Sequence, residues 1–202
     1  MKQQPSFSII LAVHDQASDI STNLPLLLTQ QYDGTYQVIV VDQKSSDETT
    51  DVLDALKAEH PLLYTTFLPH YHFQSNPRRM ALTIGVKAAA GHWTIFADIS
   101  KPVPGESWLQ ELSACCSDHT DLLLGYISTK DGSVQLQTYD SIGQASAVIS
   151  RAERWRAGVG GNRWMHRLQK STAYDFIVVK TNLAHQLLRL FAVNTLGHTT
   201  KL

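Results

Sequence analysis

The stretch Trp93-Thr-Ile-Phe-Ala-Asp-Ile-Ser-Lys-Pro102, WTIFADISKP, decides how the chain is read. Five residues dominated by large apolar side chains run into a single carboxylate, Asp98, and then into Ile99, Ser100 and Lys101. A short apolar run bounded by polar residues is the signature of a strand buried on both faces, and such strands belong to parallel sheets covered by helices. In an open sheet of that kind ligands bind outside the carboxyl ends of the strands, which is where Asp98 falls.

The same pattern repeats on both sides. Upstream, FSIILAV (7–13) precedes a helical segment ISTNLPLLLTQQ (20–31), and YQVIVVD (36–42) leads into SSDETTDVLDALKAEH (45–60), where Ser46 or Asp47 is placed to cap a helix. LLYTTFL (62–68) reads as a third strand and RRMALTIGVKAAAG (78–91) as a helix with Gly91 at its end. Downstream, ESWLQELSACCS (106–117) reads as a helix, DLLLGYI (121–127) as a strand and KDGS (130–133) as a turn. YDSIGQASAVISRAERWR (139–156) reads as a helix, AGVGGNRWMHR (157–167) as a glycine-rich loop, and DFIVVKT (175–181) with NLAHQLLRLFAV (182–193) as a last strand and helix. The expected fold class is α/β.

Composition narrows the function classes. With 202 residues, 43% hydrophobic content, 17% charged residues and a formal net charge of -1, the chain lacks the basic field that nucleic-acid binding requires. Its two cysteines, Cys115 and Cys116, are adjacent and cannot staple distant segments, which suits a reducing, cytoplasmic setting. The apolar run near the N-terminus is too short for a membrane span and reads as a strand. LAHQLLRLFAV (183–193) is interrupted by His185 and Arg189; burial against the domain is expected, with peripheral association at the inner face of a membrane as the alternative.

The acids gather at predicted strand ends: His14 and Asp15 after the first strand, Asp42 and Asp47 after the second, Asp98 after the fourth. Asp15 and Asp47 are equally readable as helix caps, which leaves Asp42 and Asp98 as the surplus carboxylates. The ordered set FSIILAVHDQ, YQVIVVDQKSSDETTDVL, NPRRMALTIGVKAAAGHWTIFADIS and SWLQEL resembles the family 2 glycosyltransferases, the bacterial members most of all, over about the first 125 residues. The resemblance implies a GT-A fold, with a mixed, mostly parallel sheet flanked by helices. It implies one GT-A-like domain over residues 1–202, with a nucleotide-binding half (1–125) and a shortened acceptor-side half (126–202). It also implies transfer of a sugar from a nucleoside diphosphate donor, a UDP-sugar first among them, to an unknown acceptor.

Position by position, the resemblance assigns Asp42 to the N–H of the nucleobase, and Ala12, Val13 and His14 to the first nucleotide loop. Arg78 and Arg79 fall near the base and diphosphate, where a planar guanidinium pairs phosphate. Asp98 matches the first acid of the family's Asp-x-Asp motif, which meets the ribose. The second acid, which holds Mg or Mn, is replaced by Ser100, a neutral hydroxyl and a poor ligand for a hard cation. Asp98 and Ser100 are therefore the candidate metal ligands, Asp98 serving either the ribose or the metal, and metal binding is expected to be weak or absent. Lys101 is placed either to supply positive charge near the diphosphate or simply to be solvated.

The second half departs further from the family. No acidic pair follows residue 125 to serve as general base. In one register Gly158–Asn162 (GVGGN) is the family's glycine segment and Asp175 is the base; in another, DFIVVKTNLAHQL is the late strand and helix and carries no base. GVGGN is equally a tight turn. His70 and His72 have a spacing that suits a metal but lack a third ligand, and Trp155 and Trp164 are candidates for stacking on a sugar, whereas Trp93 and Trp108 occupy core positions. Three readings follow: a glycosyltransferase, a catalytically inactive relative that binds nucleotide or a partner, or a generic nucleotide-binding α/β protein of another family.

Overall fold

The computed structural model describes residues 4–68, 77–128, 131–156 and 174–190. His70, His72, Gly158–Asn162 and Trp164 lie outside the described residues, as does the side chain of Trp155. The strands are β1 (Phe7–Val13), β2 (Tyr36–Asp42), β3 (Leu63–Phe67), β4 (Trp93–Ala97), β5 (Leu122–Ile127), β6 (Val134–Tyr139) and β7 (Phe176–Lys180). The helices are α1 (Ala17–Leu28), α2 (Thr49–Glu59), α3 (Pro77–Ala88), α4 (Trp108–Cys115), α5 (Ile142–Arg156) and α6 (Ala184–Leu190).

All seven strands form one sheet in the order β3-β2-β1-β4-β7-β5-β6. β1 pairs in parallel with β2 and β4, and β2 with β3. β7 runs antiparallel to β4 and to β5, and β6 antiparallel to β5. The chain lays β1, β2 and β3 toward one edge and then returns to add β4 on the other side of β1. That reversal places a topological switch point between the carboxyl ends of β1 and β4.

Strand periodicity divides the core into two layers. On one face Ile9, Leu11, Val38, Val40 and Ile95 meet Ile20, Leu24, Leu53 and Leu109 of α1, α2 and α4. On the other Ile10, Ile39, Val41, Phe96 and Val179 meet Ala81, Leu82, Ala145 and Leu187 of α3, α5 and α6. Alternate residues of a strand point to opposite faces, so a sheet covered on both sides needs apolar residues at every position. Each large aliphatic side chain taken from water contributes roughly 1.5–3 kcal/mol.

Several expectations are met and some are refined. α6 buries Ala184, Leu187 and Leu188 against the α3 and α5 layer, so the described part of this segment packs on the domain while 191–193 lie outside the described residues, and among the described residues no helix is long and apolar enough to cross a membrane. Trp93 and Trp108 are buried. Of the turn expected over 130–133, Lys130 lies outside the described residues; the Gly132 N–H donates to the Ser128 carbonyl (2.9 Å), and Ser128 and Ser133 hydrogen-bond Asp131 and pull its carboxyl down to about 2. Gly91 does not end α3, which stops at Ala88. Its N–H donates to Ser8 Oγ (2.9 Å), and an added Cβ would stand 2.6 Å from the Phe7 carbonyl carbon, so a glycine is needed for close approach of the backbones rather than for a cap. Cys116 is partly buried against the first layer, and burial pushes its thiol up to about 12, which disfavours the reactive thiolate.

Gly125 in β5 faces the ring of Phe176, and a Cβ there would overlap ring carbons. Gly125→Ala is expected to lower stability by about 1–3 kcal/mol in urea denaturation through overpacking. Gly105→Ala, at an exposed glycine with nothing within 4 Å of an added Cβ, should stay within about 0.5 kcal/mol.

Candidate functional site

The polar residues singled out in the sequence gather along the carboxyl edge of β2, β1 and β4, three adjacent strands. With neighbours about 4.8 Å apart, the edge from Asp42 to Asp98 spans roughly 10 Å, the length scale of a nucleoside. Asp42 ends β2 directly opposite Val13, and His14 follows at the exposed lip. Ala12 is half-buried on the α3 side of β1, and Val13 is buried on the α1 side.

Asp42 is 9% exposed. A carboxylate so enclosed needs hydrogen-bond donors, and Ser45 supplies two: its N–H (3.0 Å) and its hydroxyl (2.6 Å) both reach Asp42 Oδ1. Lys44, at φ 64°, takes the left-handed conformation that folds Ser45 back onto the strand end. Ser45 was not singled out from the sequence, although an acid followed three residues later by serine is a local turn signal. Phe67 was also missed: it is 70% exposed and stands opposite Asp42 in the β2–β3 register, a neighbour relation that strand pairing alone creates.

Asp15 and Asp47 have a different task. Asp47 Oδ1 accepts the Thr49 N–H (3.0 Å) at the start of α2, and its Oδ2 accepts the Ala17 N–H (3.1 Å) at the start of α1. One carboxylate thus satisfies orphan donors of two helices. Asp15, at φ 50°, accepts the Ser46 N–H (2.6 Å) and in return donates its own N–H to Ser45 Oγ (2.9 Å). The Gln16 N–H meets Thr49 Oγ1 (3.0 Å). The β1–α1 and β2–α2 loops are therefore laced together, and the capping alternative holds for Asp47. His14 Nε2 lies 3.6 Å from Asp15 Oδ2.

Arg78 and Arg79 sit in the first turn of α3, which opens with Pro77, a residue suited to that position because its missing N–H would have no partner there. Both are half-buried. They lie on the opposite face of the sheet from Asp42, at the same carboxyl edge.

At the end of β4, Ser100 donates its N–H (3.1 Å) and its hydroxyl (2.8 Å) to Asp98 Oδ1. Asp175, at the entrance of β7, accepts the Ile127 N–H on Oδ2 (2.8 Å), and its Oδ1 lies 3.7 Å from Lys101 Nζ. Asp98, Lys101 and Asp175 line one small cavity together with Trp108, whose Nε1–H has no hydrogen-bond partner among the described residues. The sequence pointed to each acid separately; the ion pair of Lys101 with Asp175 is set by the antiparallel placement of β7 beside β4. Asp175 stands at a strand entrance and not at a helix start, and the segment 176–190 forms the late strand and helix.

A divalent cation at this place would need several oxygen ligands of high charge. The donor set fits one poorly: the Ser100 hydrogen bonds leave Asp98 only its other oxygen, Ser100 is neutral, and Asp175 faces an ammonium. Among the described residues no group of three or more His, Cys, Asp or Glu is arranged to hold a metal.

No family model matches the chain, and no curated protein matches it. Solved structures do. The mannosyltransferase PcManGT from Pyrobaculum calidifontis, in complex with GDP-Man and Mn2+, superposes with a TM-score of 0.61 at 16% identity, over 92% of this chain and 47% of that one. S. aureus TarS 1–349 gives 0.56 at 20% identity, over 90% and 48%. Glucosyl-3-phosphoglycerate synthase from Mycobacterium tuberculosis, with Mn2+, UDP and glucosyl-3-phosphoglycerate, gives 0.53 at 14% identity, over 89% and 58%. The expected GT-A fold is thereby established. The chain spans about half the length of these structures.

The laced loops carry a pH signature. Hydrogen bonding from Thr49 holds the Asp47 carboxyl below its ordinary 3.8, and the Ser46 N–H does the same for Asp15. A depressed folded value means stability that is present above the ordinary carboxylate range and is lost as pH falls through the folded value. Melting temperature should fall from about pH 4 downward, and Asp47→Asn should start lower at neutral pH and show a shallower acid decline.

Proposed function

We propose that the chain binds a nucleoside diphosphate sugar across the carboxyl ends of β2, β1 and β4 and belongs to the chemistry of sugar transfer. The observation that carries this reading is Asp42: an enclosed carboxylate held at the strand end beside the topological switch point, with an acceptor face for a base N–H. His14 flanks it on β1, Arg78 and Arg79 supply positive charge for phosphate from α3, and Asp98 lies where a ribose hydroxyl would be met. The fold supports the reading, since structures sharing it were solved with GDP-Man, UDP and UDP-GlcNAc. A UDP-sugar is the donor proposed first.

Transfer with inversion needs a base to take the proton of the acceptor hydroxyl. Asp175 is the candidate among the described residues: Oδ2 is anchored by Ile127 and Oδ1 opens onto the cavity beside Asp98. A second reading, a nucleotide-binding relative without turnover, is favoured by the same residue, because Lys101 already pairs with the oxygen that would accept the proton. As for organisation and setting, we assign the chain one GT-A-like unit working in the cytoplasm.

Calorimetric titration with UDP, GDP and TDP tests the site. One nucleotide should bind, and Asp42→Ala should weaken it at least tenfold, a loss of about 1.4 kcal/mol or more. Failure of all three to bind would sink the assignment. Release of nucleotide from the matching sugar donor, abolished in Asp175→Ala, separates the enzyme from the inactive relative, which would bind without turnover.

A further inference from the structure

The segment that closes β4 is a tight turn pinned at three points. The Lys101 N–H donates to the Asp98 carbonyl (3.0 Å), the Ser100 N–H and hydroxyl donate to Asp98 Oδ1, and Asn23 Nδ2 on α1 donates to the Ile99 carbonyl (2.8 Å). Ile99 is buried, so the turn cannot roll. A bond from the fourth residue to the first brings their Cα atoms within about 7 Å. The Lys101 side chain therefore starts beside Asp98, at the small cavity that Asp98 and Asp175 line together.

Its outer end is held with equal economy. Lys101 Nζ lies 3.7 Å from Asp175 Oδ1, while Asp175 Oδ2 is anchored on the Ile127 N–H. The lysine remains half-exposed, at 48%, against 21% for its partner. An ammonium so placed occupies the negative field that Asp98 and Asp175 create together, and a dication would have to displace it and would then find, beside these two carboxylates, only the neutral Ser100 hydroxyl. A lysine is a compact point charge on a flexible stem with three donors, suited to following phosphate oxygens without fixed geometry.

We propose that Lys101 takes the place of a divalent metal: when nucleotide binds, its ammonium turns from Asp175 to the diphosphate, and binding needs no metal ion. This rests on the nucleotide site proposed above. Two consequences follow from the geometry. The Lys101–Asp175 pair is exchanged for a Lys101–phosphate pair, which frees Asp175 Oδ1. Asp98 keeps Oδ1 on Ser100 and offers its other oxygen as an acceptor toward the ribose.

Titration of the full chain with the nucleotide that binds, UDP first, in manganese and in EDTA, tests the proposal. Affinity in the two conditions should agree within about twofold, Lys101→Gln should weaken binding about tenfold, and Lys101→Arg should recover most of the loss. Thermal melts of the variants check that each is folded. Ser100→Asp, which supplies a second carboxylate, should make binding respond to manganese. Tightening of the unaltered chain by tenfold or more in manganese would overturn the role of Lys101 and leave the nucleotide site standing, as would a Lys101→Gln variant that is folded and binds normally. Failure of UDP, GDP and TDP to bind in either condition would overturn both.

Discussion

The enclosure of β1 is the constraint on which the rest depends. It pairs on both edges, with β2 and with β4, and is covered on both faces by helices, so its residues have no route to water except at the two ends of the strand. Six of its seven residues are buried, and Ser8, the polar exception among them, receives hydrogen bonds from Gln37 and from the Gly91 backbone. Unpaired polar groups inside such a layer are costly. The polar chemistry of the chain is therefore expelled to strand ends, and the reversal of strand order around β1 brings three of those ends to one crevice.

The acids at that crevice divide into two kinds. Asp15 and Asp47 are consumed by the loops, where one carboxylate serves the starts of two helices and the other locks onto the neighbouring loop backbone. Asp42 and Asp98 are each steadied by a nearby serine that bonds a single carboxylate oxygen. Such lacing holds the strand-end groups in place before any ligand arrives, which lowers the ordering cost of binding. The residues held at left-handed φ, Asp15 and Lys44, lie in these same loops, where backbone strain is compensated by the lacing.

The end of β4 shows how few side chains set the charge at a strand end. The turn that follows β4 folds onto its own acid, Ser100 donating both its N–H and its hydroxyl to Asp98 Oδ1. A lysine follows immediately and finds Asp175 across the cavity. The fold is determined by the two apolar layers, whereas the charges at the strand ends are set by a few loop side chains.

The strands and helices were legible in the sequence almost throughout, because a sheet covered on both faces demands uninterrupted apolar runs and helices demand a longer period; β1 and β2 coincide with the runs at 7–13 and 36–42. Asp42 and Asp98 were legible for the same reason, as the carboxylates that end such runs. Strand order was not, since pairing depends on which edge a returning chain meets. Nor was the use of each acid. That Asp47 caps two helices, that Ser45 serves both Asp42 and Asp15, that Phe67 stands opposite Asp42 and that Lys101 reaches Asp175 are relations between segments far apart in the chain. The sequence by itself determined which side chains had to leave the core, through hydrophobic periodicity; only the tertiary structure decided which of them meet, because hydrogen bonds and ion pairs act over a few ångströms and depend on how the sheet is ordered.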